Sequence, residues 1–177
     1  MKRAKQHVYD IAMMNDFKYF ITWTLDKTKI DRENVDEIKK KLQAFLNNMQ
    51  QRYNVSYILI PEYHSDGKAI HIHGLINGSI KLVDSNLTTS EGKTIYNMPQ
   101  WKYGFSTAIE LDDRKEAVSH YITKYISKDF RKIFGKFYYS SRDLIRTPAI
   151  QLYNTDYDGM ELPEYSIPQA GLKFKYI

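Results

Sequence analysis

The chain has 177 residues, enough for one domain with a single packed core. It contains no cysteine, which excludes disulfides and thiolate metal sites and suits a reducing cytosol. A net charge of +5, a pI near 9.1 and 15 tyrosines lean toward an anionic partner that offers unpaired bases for stacking. No segment approaches membrane-spanning length, and Asp10, Asn15 and Asp16 interrupt the basic N-terminus, making it a poor signal peptide.

In chain order, the apolar and β-branched run FKYFITWTLD at 17–26 predicts a strand. Asp31 is the expected cap of a helix reaching Arg52, in which Val35, Ile38, Leu42, Phe45, Leu46 and Met49 recur at helical spacing. VSYILIPEY at 55–63 and AIHIHGLIN at 69–77 then predict two strands joined as a hairpin through HSDGK. Residues 78–100 are polar and turn-rich and predict a long loop or insertion. The SEGKT within it lacks the earlier glycine and the feeding strand that a phosphate loop requires. A strand at 102–111, a helix at about 113–130 and a final strand around 134–141 follow, and from 148 onward no periodicity is visible. The order β–α–β–β–loop–β–α–β fits an α+β fold with a central antiparallel sheet and helices packed on one face, related to ferredoxin-like folds.

Two patterns carry chemistry. His71 and His73 alternate with Ile70 and Ile72, so on a strand both imidazoles share one face. Folding the hairpin returns Glu62 beside them, completing an N,N,O donor set for a divalent ion with positions left for water and phosphate oxygens. That set suits manganese; magnesium could serve, and zinc is compatible. His64, in the turn, is a second candidate ligand. The other pattern is SHYITKYISKDF. At about 100° of rotation per residue, Tyr121, Lys124, Tyr125 and Lys128 fall within one arc of a helix, beside a buried stripe of Val118, Ile122, Ile126 and Phe130. An ordinary amphipathic helix accounts for such a face too. The sharper reading is a tyrosine that attacks a phosphodiester, with a metal or lysine offsetting the high pKa of its phenol.

These segments together resemble the HUH endonucleases, specifically the rolling-circle replication initiators of small phages and plasmids. FITWTLD at 20–26 is similar to the first motif of that family, PEYHSDGKAIHIHGLI at 61–76 to the second, and YITKYISKD at 121–129 to the third in its two-tyrosine form. WKYGFSTAIEL and FGKFYYSSRDLIRTP resemble flanking segments, so the likeness spans about residues 17–148. It implies one HUH endonuclease domain over 1–177, ferredoxin-like or RRM-like with helices flanking an antiparallel sheet, in which 149–177 is a C-terminal extension. It implies metal ligation by His71, His73 and Glu62 with manganese or magnesium as cofactor. Tyr125 and Tyr121 would be the nucleophiles, assisted by Lys128 and Lys124, with Tyr125 favoured slightly as the first to cut. The implied activity is nicking and joining of single-stranded or hairpin origin DNA through a 5′-phosphotyrosine, in the cytoplasm of a bacterial host. A separate host helicase and polymerase would be needed, since no complete phosphate loop is present. A related transposase or relaxase, or a non-catalytic nucleic-acid-binding module, are the alternatives. Lys102, Arg114, Lys132, Arg142 and Arg146 are candidate backbone contacts.

Overall fold

A computed structural model of the chain describes residues 2–64, 67, 69–128 and 132–146, with the backbone alone at 127–128 and in two short strands at 164–167 and 172–175. Its compact units are Met1–Thr147 and Pro148–Ile177. In the second, β8 (Glu164–Ile167) and β9 (Leu172–Lys175) pair antiparallel.

The first unit is built on one antiparallel sheet. Its strands are β1 (Tyr19–Leu25), β2 (Ser56–Tyr63), β3 (Ile70–Asn77), β4 (Val83–Thr88), β5 (Thr94–Asn97), β6 (Gly104–Glu110) and β7 (Tyr139–Ser140), in the spatial order β4-β5-β6-β1-β3-β2-β7. Helix α2 (Val35–Tyr53) carries the chain from β1 to β2 across β3, so β1 and β2 run parallel on either side of it. This is the split β-α-β of ferredoxin-like folds, and with the antiparallel sheet it gives the expected α+β class.

Two cores, one on each sheet face, cement this arrangement. Ile21, Trp23 and Leu25 of β1 and Ile70, Ile72 and Ile76 of β3 pack on Ile38, Leu42, Leu46 and Met49 of α2. On the opposite face Ile58, Ile60 and Leu75 meet Val8, Ile11 and Ala12 of helix α1 (Lys2–Met14) and Ile122 and Ile126 of helix α3 (Lys115–Lys128). Helices therefore cover both faces, correcting the expectation of one. The reason lies in β2 and β3, whose interiors are almost continuously buried and so need cover on each side. At about 1.5–3 kcal/mol for each fully buried aliphatic side chain, the α2 stripe is a principal source of stability.

Several local expectations change. Asn34 caps α2, its side-chain oxygen accepting from the Glu37 amide at 3.0 Å, whereas Asp31 bonds the Glu33 amide in the turn before it. The stretch 78–100, expected as a loop, contains the β4–β5 hairpin. SEGKT forms its turn, where the Thr89 amide bonds the Lys93 carbonyl. The strand expected at 134–141 shrinks to Tyr139–Ser140, because Phe134 and Gly135 adopt φ of 57° and 80° within a 3-10 turn. Helix α1 had no counterpart in the sequence reading. The tail of the expected 113–130 helix, residues 129–130, lies outside the described residues.

Gly74 of β3 shows how tightly the centre is drawn. A Cβ there would come within 2.5 Å of the Ile58 carbonyl oxygen and of Leu59 Cδ2 on the neighbouring strand. Only a residue without a side chain permits that approach. No described helix is long and apolar enough to cross a membrane.

Candidate active site

Strand register places the histidines. His71 lies opposite Glu62 of β2 and Thr24 of β1, and His73 opposite Ile60 and Thr22, so all of these side chains share the sheet face that α1 and α3 cover. The structure brings Glu62 and His73 together, with Oε2 of the carboxylate 3.2 Å from Nε2 of the ring. Both are largely shielded from solvent. The other ring nitrogen, Nδ1, is 3.1 Å from the Thr22 hydroxyl. His73 is thereby held at both ends, which fixes its plane. Thr22 had no assigned role in the sequence, although it lies within the first motif.

His71 stands further off, its ring centroid 6.2 Å from that of His73 and 4.9 Å from that of His64. Among the described residues no three His, Asp or Glu side chains are gathered into a group able to hold a metal ion. The donor set itself fits one: two imidazoles and a carboxylate stand on one face of adjacent strands, and Glu62 and His71 are direct cross-strand partners. Closing His71 onto the Glu62–His73 pair needs side-chain rotation rather than a shift of strands.

Helix α3 lays its tyrosines over this cluster. Ile122 and Ile126 are buried beneath it and Val118 packs at their side, as the helical spacing predicts, while Phe130 lies outside the described residues. The neighbouring arc then faces the sheet at the histidines. The Tyr125 ring stacks on the His73 ring, centroids 3.9 Å apart and planes inclined by 22°. Its hydroxyl donates to the Tyr121 hydroxyl at 2.9 Å. Phe20, from β1, packs against both tyrosines with centroids at 5.3 and 6.0 Å. Lys124 extends its ammonium to 5.5 Å from the centre of the Tyr121 ring. The Lys128 side chain lies outside the described side chains.

Burial pushes the Tyr125 phenol well above its ordinary pKa, and the hydrogen bond to Tyr121 and the negative charges of Tyr121 and Glu62 push it further. Tyr125 is therefore neutral at rest. Tyr121, at 45% exposure, reaches solvent. Away from the helix the same face lies open along β6, where Phe105 is 71% exposed in register with Thr24. Phe105 is a second feature that sequence reasoning passed over. Its exposed position amid an alternating strand was the available signal.

The candidate backbone cations divide. Arg114 is bound to Asp112 at 2.6 Å, which Lys93 also engages, so its charge is spent within the protein. Lys102 lines a cleft with Arg52 and Tyr103, and Lys132, Arg142 and Arg146 gather near β7.

Fold and site together thus define an α+β protein with a histidine–carboxylate cluster on its sheet beneath a pair of hydrogen-bonded tyrosines. Residues 18–130, which contain that entire cluster, match the replication-associated protein family of the ORF2 and gene 2 protein type, and the chain belongs to that family. Membership gives it a role in DNA replication, at initiation. Comparisons with curated proteins and with solved structures return no match.

Proposed function

We propose that the chain is a metal-dependent, HUH-type rolling-circle initiator that nicks and rejoins origin DNA through a tyrosine. The observation that carries this reading is the Tyr125 ring stacked on His73 with its phenol bonded to that of Tyr121. A nucleic-acid-binding module would use such aromatics for stacking on bases, but it leaves the Glu62–His73–Thr22 chain without a task. A transposase or relaxase would share the chemistry.

His71, His73 and Glu62 would hold one divalent ion, manganese or magnesium. When bound, that ion polarises the scissile phosphate as a Lewis acid. The protein's own groups do the rest. Thr22 keeps His73 oriented, and Phe20 and the buried stripe of α3 hold the tyrosines over the sheet. Tyr125 Oη attacks phosphorus, the bond from phosphorus to O3′ breaks, and the departing O3′ takes a proton from water. The phenolic proton has the Tyr121 oxygen 2.9 Å away as its first acceptor, while Tyr121 passes its own proton to solvent. The Lys124 ammonium favours negative charge along this path. Tyr121 then supplies a nucleophile for the second transesterification, which rejoins the ends. Single-stranded DNA would reach the site along the open face, with a base on Phe105.

The test is a 5′-phosphotyrosyl adduct on a labelled single-stranded origin oligonucleotide in manganese, read on a denaturing gel. The expected result is an adduct abolished by His73→Ala and by Tyr121→Phe with Tyr125→Phe together. Adduct surviving in the double variant refutes the nucleophile assignment.

A further inference from the structure

A concentration of positive charge lies apart from the tyrosines, at the sheet edge formed by β7. Two adjoining clefts of about 520 and 540 Å³ share Lys136, Tyr139, Ser140 and Arg142 on their walls. One opens beside Ala4 of α1 and adds Lys132 and Arg146; the other opens beside α2 and adds Lys39. No carboxylate lines either cleft among the described residues. The nearby Asp143 is bonded to Ser56.

These cations are presented rather than consumed. Lys39, Lys132, Lys136 and Arg142 form no ion pair with another described residue, in contrast to Arg114, Lys93 and Lys115, which carboxylates neutralise. Lys132 and Lys136 lie along the rings of Phe137 and Tyr139, with ammonium-to-centroid distances of 5.4 and 5.6 Å. Arg146 is anchored by hydrogen bonds to the Ser140 hydroxyl at 3.0 Å and the Ser141 carbonyl at 2.6 Å. An edge strand so lined with cations matches a run of regularly spaced negative charges.

We infer that the β7 edge is a second DNA contact, binding the phosphodiester backbone of a segment outside the histidine–tyrosine site. The inference rests on the family's role in DNA replication and not on the nicking chemistry. The partner is a DNA backbone, duplex or single-stranded.

The experiment measures binding of the full chain to labelled 20-nucleotide single strands and duplexes by fluorescence anisotropy, from 50 to 200 mM NaCl. All proteins carry Tyr121→Phe and Tyr125→Phe, so binding is read independently of any cleavage. Lys136→Gln with Arg142→Gln should make the slope of log K against log salt shallower by about 1.8 on duplex or about 1.4 on single strand. The substrate that shows the loss identifies the bound form. Lys27→Gln with Lys29→Gln, removing the same charge elsewhere, should leave the slope unchanged. Equal slopes in the β7 variant and its parent on both substrates, or an equal loss in the control, overturn the proposal. Thermal melting verifies the fold of each variant, and Lys132→Gln alone, expected to lower the slope by about 0.9 on duplex, serves if the double change does not fold.

Discussion

Replacing Thr22 by valine keeps a β-branched side chain in β1 and removes a single hydroxyl, the one 3.1 Å from Nδ1 of His73. That hydroxyl is the partner that sets the ring's plane from the side opposite Glu62, whose Oε2 is 3.2 Å from Nε2. Because His73 is 9% exposed, water replaces the lost bond poorly, and the cost to stability is about 1–3 kcal/mol. For a chain of this size that corresponds to a fall in Tm of roughly 2–4 °C per kcal/mol. The larger consequence is functional. Partners that orient a ligating histidine typically contribute about 10–100-fold to metal affinity or activity, so Thr22→Val should raise the manganese needed for half-maximal adduct formation by that factor. Thr22→Ser, which retains the hydroxyl, should restore most of the loss. The assay is a manganese titration of adduct yield on a single-stranded oligonucleotide, paired with a melting curve of the metal-free protein. A half-saturating manganese concentration within twofold of the parent would show that Thr22 does not orient the ring.

Other outcomes follow from the same geometry. Gly74→Ala should destabilise the protein by about 1–3 kcal/mol in a denaturant melt, since its Cβ meets β2 backbone at 2.5 Å; an unchanged midpoint would mean that β2 yields freely. Phe105→Ala should leave the melt unaltered and weaken binding of single-stranded oligonucleotides by about 5- to 150-fold, the equivalent of about 1–3 kcal/mol for one stacked base. Unweakened binding would remove Phe105 from the strand's path. In the metal-free protein the Tyr125 phenol should ionise above the ordinary tyrosine range, followed by NMR of ring-labelled tyrosine. Its pKa is raised, so the neutral form persists past the pH at which an exposed tyrosine loses its proton, and stability attached to that form declines as pH rises above the ordinary value. Tyr121→Phe should lower the pKa only in part, because burial is the leading cause; a return to the ordinary value would make the hydrogen bond dominant instead.

The elements most legible in the sequence were those with one strong periodicity. The α2 stripe, the β2–β3 hairpin and the apolar alternation of β1 all emerge in the structure close to their expected limits. The β4–β5 hairpin escaped because β4 is exposed along nearly its whole length, so no buried face imposes alternation on VDSNLT. Helix α1 escaped for a different reason. Its buried positions Val8, Ile11 and Ala12 span little more than one turn, within a segment otherwise polar and basic. What holds its end is tertiary: Asn15 bonds both the amide and the carbonyl of Ile145, a contact no local pattern announces. At the site, the shared face of Glu62, His71 and His73 followed from strand alternation and hairpin closure. The stacking of Tyr125 on His73 did not, since it depends on how α3 crosses the sheet, which α1 and Phe20 help to set.

The bond between the two phenols makes the tyrosines unequal at any instant, because one hydroxyl donates and the other accepts. On the proposed chemistry, an ester formed on either oxygen abolishes that tyrosine's ability to donate. The free partner must then turn its own hydrogen toward the ester or toward water. Each covalent event would therefore reverse the polarity of the pair, and the pair would record which DNA end it carries. Successive rounds of cutting could then alternate between two adjacent residues on one helix turn without any movement of the backbone.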